Sequence, residues 1–257
     1  MSEHATSWVL DLDGVVWLAG EPLPGAVDAV NALLAAGEDV AFVTNNSNPT
    51  VREHHANLAA IGIDATGLVV SSAMAASRLI NKGERVLLCA GPGAREAVEG
   101  AGAVPLEDTD DAVDAVLVGL TRDFDYDVLR RAATAVRRGA RFLATNDDST
   151  YPTRDGPIPG AGSILAAVER ASGQRATVAG KPYAAMVDLL RERLGPNGTV
   201  VGDRPDTDGR LARAMGFRFA LVLTGVTSSA ELAAGVDPAP DEVAADLAEL
   251  VARHLQG

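Results

Sequence analysis

Short apolar runs alternate with longer stretches of helical period along the 257-residue chain. Trp8–Leu12, Asp39–Val43, Gly67–Ser71, Arg85–Cys89, Ala115–Leu120, Arg141–Ala144, Thr199–Val201 and Ala220–Leu223 are predicted as strands. Most are apolar without alternation, the pattern of parallel strands covered on both faces. Between them the spacing predicts helices over Gly25–Ala36, Pro49–Ala60, Tyr126–Arg138, Gly162–Ala171, Tyr183–Leu194 and Asp241–His254. Ser47-Asn48 before Pro49 reads as a cap followed by proline at the first helical position. Strands alternating with helices of this length predict an α/β fold.

Polar fragments follow several of these runs directly. Asp11-Leu12-Asp13-Gly14-Val15 closes the first, Thr44-Asn45-Asn46 follows the second, and Gly202-Asp203-Arg204-Pro205-Asp206-Thr207-Asp208 follows a late one. Gly180-Lys181-Pro182 is a fourth fragment. Alternate side chains of a strand share a face, so Asp11 and Asp13 are predicted to start from the same side. Two carboxylates that close repel and are costly to desolvate, unless a cation or a reacting phosphate makes use of them. Ligands of open α/β sheets bind beyond the carboxyl ends of strands, where Asp11, Thr44 and Asp203 fall. Asp11 and Thr44 come early, Lys181 and Asp203 late. Residues 81–175 are therefore expected to form an inserted domain, with 1–80 and 176–257 as the core.

Composition narrows the partners. A formal net charge of −13 argues against nucleic-acid or anionic-membrane surfaces, which need clustered basic residues. An anionic small substrate stays possible, because a bound divalent ion inverts the local potential. Cys89 is the one cysteine, so an intrachain disulfide and a cysteine-based zinc cluster are excluded. No run approaches the roughly 18 apolar residues of a spanning helix. The segment Met1–Ser7 lacks the features of a secretory signal, so a cytoplasmic location is expected. Of 22 basic residues only Lys82 and Lys181 are lysines, which points to a need for a compact ammonium at Lys181.

These residue types together fit phosphoryl transfer. A carboxylate such as Asp11 can act as nucleophile, and Asp11 with Asp203 offers the hard oxygen ligands that magnesium takes. Thr44 brings a hydroxyl, the loop into the Pro49 helix brings backbone N–H groups, and Lys181 a point charge. Asp13 can protonate a leaving oxygen and then activate water. Each fragment alone is weak. Gly180-Lys181-Pro182 lacks the Ser/Thr of a phosphate-binding loop, Asp203–Gly209 misplaces the ligands of a calcium loop, and Leu165 stands where a dinucleotide fingerprint needs glycine. His54 and His55 are expected as solvated helix residues, Cys89, Trp8 and Trp17 as packing residues, and the Glu107–Asp111 run as a solvated loop.

In order and spacing, Asp11-x-Asp13, Thr44, Lys181 and Gly202-Asp203-x4-Asp208 resemble the haloacid dehalogenase (HAD) superfamily of phosphohydrolases. The likeness is to subclass IIA, with its 4-nitrophenyl, NagD-like, glycerol-phosphate and phosphoglycolate phosphatases. Phe42–Ser47, Ala144-Thr145-Asn146-Asp147-Asp148, Pro159–Gly162 and Leu223-Thr224-Gly225-Val226 extend it. The resemblance implies a Rossmann-like doubly wound core with an inserted α/β cap domain of C2 type. It implies Asp11 as nucleophile and Asp13 as general acid/base, with Mg2+ held by Asp11, the Asp13 carbonyl and Asp203, and Asp208 orienting the metal shell. Thr44, the Asn45 backbone and Lys181 would hold the phosphate, while Asn46, Asp148 and Tyr151 would face the substrate. Pro205 stands where the family usually carries leucine, which bears on loop geometry. Leu120 replaces an aromatic residue of a pyridoxal-phosphate phosphatase, favouring short aliphatic esters such as glycerol phosphate or phosphoglycolate. Caps of this branch often dimerise, so a homodimer through the cap is an expectation. The expected function is Mg-dependent hydrolysis of small phosphorylated metabolites through an aspartyl-phosphate. A phosphotransferase or mutase, or a noncatalytic phosphate-ligand sensor, is the alternative.

Overall fold

A computed structural model describes residues 6–153 and 155–256. The first five residues, read above for targeting signals, lie outside the described ones. The described residues divide into two compact units: those within Met1–Thr44, His54–Val70 and Val187–Gly257 form one, those within Asn45–Glu53 and Ser71–Met186 the other.

The first unit is built on a six-stranded sheet in the order Glu242–Ala244, Arg218–Val222, Gly198–Gly202, Ser7–Asp11, Asp39–Thr44, Val69–Ser71. The pairings from Glu242–Ala244 through Asp39–Thr44 are all parallel. Numbered along the chain this is 6-5-4-1-2-3, the doubly wound order of a Rossmann-like core. All five residues of Ser7–Asp11 are buried, because both faces of this central strand are covered. Trp8 and Leu10 join Phe42, Val201, Val30, Leu33, Leu250 and Val251 in one apolar cluster, in step with the alternation of the strand.

The starts of two predicted helices move by two residues or more. The helix expected from Pro49 begins at Val51, and its cap is Thr50 instead of Asn48. Thr50 Oγ1 accepts the Glu53 N–H at 3.2 Å while the Glu53 carboxylate accepts the Thr50 N–H at 2.8 Å, a reciprocal box. The Asn48 carbonyl is already committed to the Gly93 N–H at 2.9 Å, which holds that residue in the loop. The helix expected over Asp241–His254 is a strand, Glu242–Ala244, followed by a helix, Leu247–Gln256. Asp241 accepts hydrogen bonds from Arg213 at 2.6 Å and the Phe219 N–H at 2.8 Å, which fixes the chain in extended pairing.

The second unit holds a five-stranded parallel sheet, ordered Thr177–Val178, Arg141–Ala144, Ala115–Val118, Arg85–Cys89, Val104–Leu106. Helices Pro92–Gly100, Tyr126–Arg137 and Ala161–Ser172 accompany it. The unit is wider than the 81–175 expected for an insertion. Thr177–Val178 adds an edge strand, and the helix Ser72–Ser77, capped by the Ser71 hydroxyl, packs on Pro92–Gly100.

Isolated residues also depart from expectation. His54, expected in solvent, is 2% exposed and lies one turn from the buried Leu58. Cys89 is buried in its strand, and burial pushes its thiol up to about 12. The acidic run is exposed but each acid meets an arginine: Glu107 Arg95, Asp108 Arg131, Asp110 Arg130 and Asp111 Arg85. Among the described residues no helix is long and apolar enough to cross a membrane.

Candidate active site

Asp11 is the last residue of its strand, Thr44 the last of the neighbouring strand, and Asp203 follows the last residue of Gly198–Gly202. These three parallel strands are adjacent, with Ser7–Asp11 in the middle. The winding of the sheet reverses between Ser7–Asp11 and Gly198–Gly202, which opens a crevice at their carboxyl ends. One oxygen each from Asp11, Asp203 and Asp208 lies within 4.8 Å of the others. Asp11 is 8%, Asp203 2% and Asp208 0% exposed. Three carboxylates so placed repel in a poorly solvated setting, and a cation offsets that repulsion. The donor set is all hard oxygen, the set that suits magnesium or calcium and not a thiophilic metal. The residues present fit such an ion.

Backbone holds these acids in place. Asp203 Oδ2 accepts the Val226 N–H at 2.6 Å, Asp208 Oδ2 the Arg204 N–H at 3.2 Å, and Asp11 Oδ1 the Leu12 N–H at 2.8 Å. A Cβ on Gly225 would lie 1.9 Å from Asp203 Oδ2, and one on Gly14 (φ +86°) 2.6 Å from it. Thr224 Oγ1 donates to the Gly14 carbonyl at 2.6 Å and ties the two glycine loops together. Asp208 sits in a π-helical turn, Pro205–Gly209, pressed against Gly202, where a Cβ would lie 2.2 Å from its side chain. Pro205 opens that turn, at a position where a missing N–H costs little.

Asp13 is not on the strand. The strand ends at Asp11, and the Leu12 carbonyl accepts the N–H groups of Val16 at 3.0 Å and Trp17 at 3.1 Å in a tight turn. Strand alternation therefore does not relate Asp13 to Asp11; the turn places Asp13, which is half-buried.

The second unit joins another set. Asn45 Oδ1 accepts the Lys181 N–H at 2.8 Å, and Asn45 Nδ2 donates to the Lys181 carbonyl and to Asp148 Oδ1, both at 3.2 Å. Asn46 Nδ2 donates to the Tyr151 hydroxyl at 3.2 Å, and Asn46 Oδ1 accepts the Asn48 N–H at 3.1 Å. Tyr151 belongs to a short hairpin, Thr150–Tyr151 with Ile158–Pro159. Ser72 and Asn146 were absent from the predicted site, yet both donate to the Asn45 carbonyl, at 2.7 and 2.6 Å. Gly14, Thr224, Gly225 and Val226, which shape the seat of Asp203, are likewise outside the predicted site. Asn146 and Gly225 lie in fragments that carry the family resemblance, and that was their only signal.

A family model described as haloacid dehalogenase-like hydrolase matches residues 8–104, and one described as HAD-hydrolase-like matches 178–250. An acid sugar phosphatase of Staphylococcus haemolyticus is 34% identical over 88% of this chain and 88% of its own length. The chain belongs to the haloacid dehalogenase-like hydrolases. Within them it falls among the subclass IIA phosphatases, with a D-glycerol 3-phosphate phosphatase of Mycobacterium tuberculosis 38% identical over 86% of this chain. The match spans 64% of that relative's length. Among solved structures, the 4-nitrophenylphosphatase of Thermotoga maritima superposes with a TM-score of 0.88 at 30% identity, covering 96% of this chain and 97% of the other. A glycerol phosphate phosphatase of M. tuberculosis, solved with calcium and also with magnesium, gives TM-scores of 0.85 and 0.86 at 36% and 34% identity. These two cover 95% and 96% of this HAD hydrolase and 74% and 77% of their own chains.

Proposed function

We propose that this HAD hydrolase is a Mg-dependent phosphomonoesterase that works through an aspartyl-phosphate on Asp11. The observation that carries the reading is the meeting of Asp11, Asp203 and Asp208 beyond the carboxyl ends of the central strands. Asp11, the Asp13 carbonyl and Asp203 would hold the ion, with Asp208 orienting its shell. When bound, the ion supplies positive charge against the phosphate oxygens.

An oxygen of Asp11 attacks phosphorus while the bond from phosphorus to the ester oxygen breaks. Asp13, protonated, gives its proton to that departing oxygen. Water then attacks the phosphorus of the aspartyl-phosphate and gives a proton to the Asp13 carboxylate. The bond from phosphorus to Asp11 breaks, inorganic phosphate leaves, and both carboxyl groups are restored. Thr44, the Asn45 N–H and Lys181 hold the phosphate oxygens throughout. Asn46, Asp148 and Tyr151 face the leaving group.

The substrates proposed are small phosphorylated metabolites, short aliphatic esters such as glycerol phosphate and phosphoglycolate. The glycerol 3-phosphate activity in the name of the mycobacterial relative supports this choice. Purified protein with 4-nitrophenyl phosphate is expected to release nitrophenol and inorganic phosphate with added Mg2+ and to stop when EDTA is present in excess. Turnover undiminished by EDTA, or none under either condition, contradicts the reading. A ranking of phosphorylated metabolites by kcat/KM then tests the substrate class.

A further inference from the structure

We propose that the Asn45 side chain is a positioning residue whose amide sets the place of Lys181; the inference rests on the assignment of Lys181 to the phosphate. The two residues are 136 positions apart in sequence, yet one amide holds the lysine's backbone from both sides. An N–H only donates, so the Lys181 N–H requires Asn45 Oδ1 on its side and thereby places Nδ2 on the other. Both Nδ2 donors are then spent, one on the Lys181 carbonyl and one on the Asp148 carboxylate. The amide thus spans the lysine and the loop proposed to face the substrate.

The clamp itself is buried and tied to its surroundings by further hydrogen bonds. Asn45 is 6% and Lys181 2% exposed, and the Asn45 carbonyl is held by Ser72 and Asn146. On the lysine side, the Gly180 N–H donates to the Thr145 carbonyl at 2.7 Å. A Cβ on Gly180 would lie 2.5 Å from Asn45 Oδ1 and 2.6 Å from the Thr145 carbonyl oxygen, so the approach admits glycine alone. A lysine carries its charge on a flexible four-carbon stem, and its precision depends on where its backbone is anchored. A misplacement of about 1 Å in a positioned group costs on the order of a hundredfold in rate. The backbone N–H of Asn45 is untouched by any substitution of its side chain, so the two roles separate.

A double-mutant cycle tests this, with wild type, Asn45→Ala, Lys181→Met and the double variant compared. The readouts are kcat and KM for 4-nitrophenyl phosphate and inhibition by inorganic phosphate. Asn45→Ala is expected to lower kcat/KM by about a hundredfold and to weaken phosphate inhibition. In the Lys181→Met background the same change is expected to cost nothing more. Urea midpoints of the four proteins separate folding from positioning: any stability loss from Asn45→Ala persists in both backgrounds, whereas the kinetic loss disappears. Should Asn45→Ala not fold, Asn45→Asp carries the same cycle, since it keeps the acceptor, loses the donors and sets a second carboxylate beside Asp148. Additive kinetic losses, or an Asn45 variant as active as wild type, overturn the inference. Lys181→Met with wild-type kinetics overturns the lysine's assignment and the clamp with it, and that single variant tells the two failures apart.

Discussion

Asp11 and Asp203 stand at the carboxyl ends of two hydrogen-bonded parallel strands, and Asp203 Oδ2 is fixed there by the Val226 N–H at 2.6 Å. On either side of this pair the strand order runs outward in opposite directions. No helix closes over the point of reversal in such a sheet, and charged groups gathered there can meet a ligand.

The glycine loop beside Asp203 is expected to make affinity for the proposed metal sensitive to a single methyl group. Gly225→Ala places a Cβ on the Asp203 carboxylate, at 1.9 Å in the present geometry. Isothermal titration with Mg2+ is expected to show affinity reduced about 10- to 100-fold. Wild-type affinity in this variant would mean that Asp203 is not a ligand or that the loop yields freely.

Lys181→Arg is expected to lower kcat/KM by about tenfold or more, because the planar guanidinium needs a wider seat than a 2% exposed ammonium has. Steady-state kinetics on both proteins decide it. Unchanged kinetics return the scarcity of lysine in this chain to coincidence.

Acid sensitivity has an identifiable contributor in Asp241. Arg213 first, then the Phe219 N–H, holds its carboxyl below the ordinary aspartate value of 3.8. A depressed carboxyl contributes stability above its unfolded value and loses it as pH falls through the folded one. Asp241→Asn is therefore expected to lower the urea midpoint at pH 7, with the gap narrowing below the ordinary value. A gap that stays constant into acid assigns the loss to packing instead.

Thr50→Ala removes the observed cap of the Val51–Ala60 helix and is expected to cost about 1 kcal/mol in urea unfolding. Asn48→Ala, at the cap expected from sequence, removes no helix-capping bond. Equal helix losses from both changes would contradict the observed start.

What was legible in the sequence follows from what an apolar run reports. Arg85–Cys89 and Arg141–Ala144 appear with the bounds predicted, since a run buried on both faces ends where polar loop begins. The same rule placed Asp11, Thr44 and Asp203 at strand ends. Hidden were the short or half-exposed elements, such as Val104–Leu106 and Ser72–Ser77, whose composition carries little period. Hidden too were relations between distant positions. Nothing about Asn45 alone indicates that its amide meets Lys181, and nothing about Gly225 that Asp203 needs its missing side chain. His54 reads as polar, yet one turn from Leu58 it shares the buried face.

The most direct test is to find the phosphoryl group on the protein. Enzyme turning over labelled substrate with Mg2+ is quenched in acid, digested, and its peptides analysed by mass spectrometry, with Asp11→Asn as control. The expected result is an acyl phosphate on Asp11, with no modified peptide and no turnover in the folded variant. Label on another residue, or full turnover by Asp11→Asn, contradicts the account.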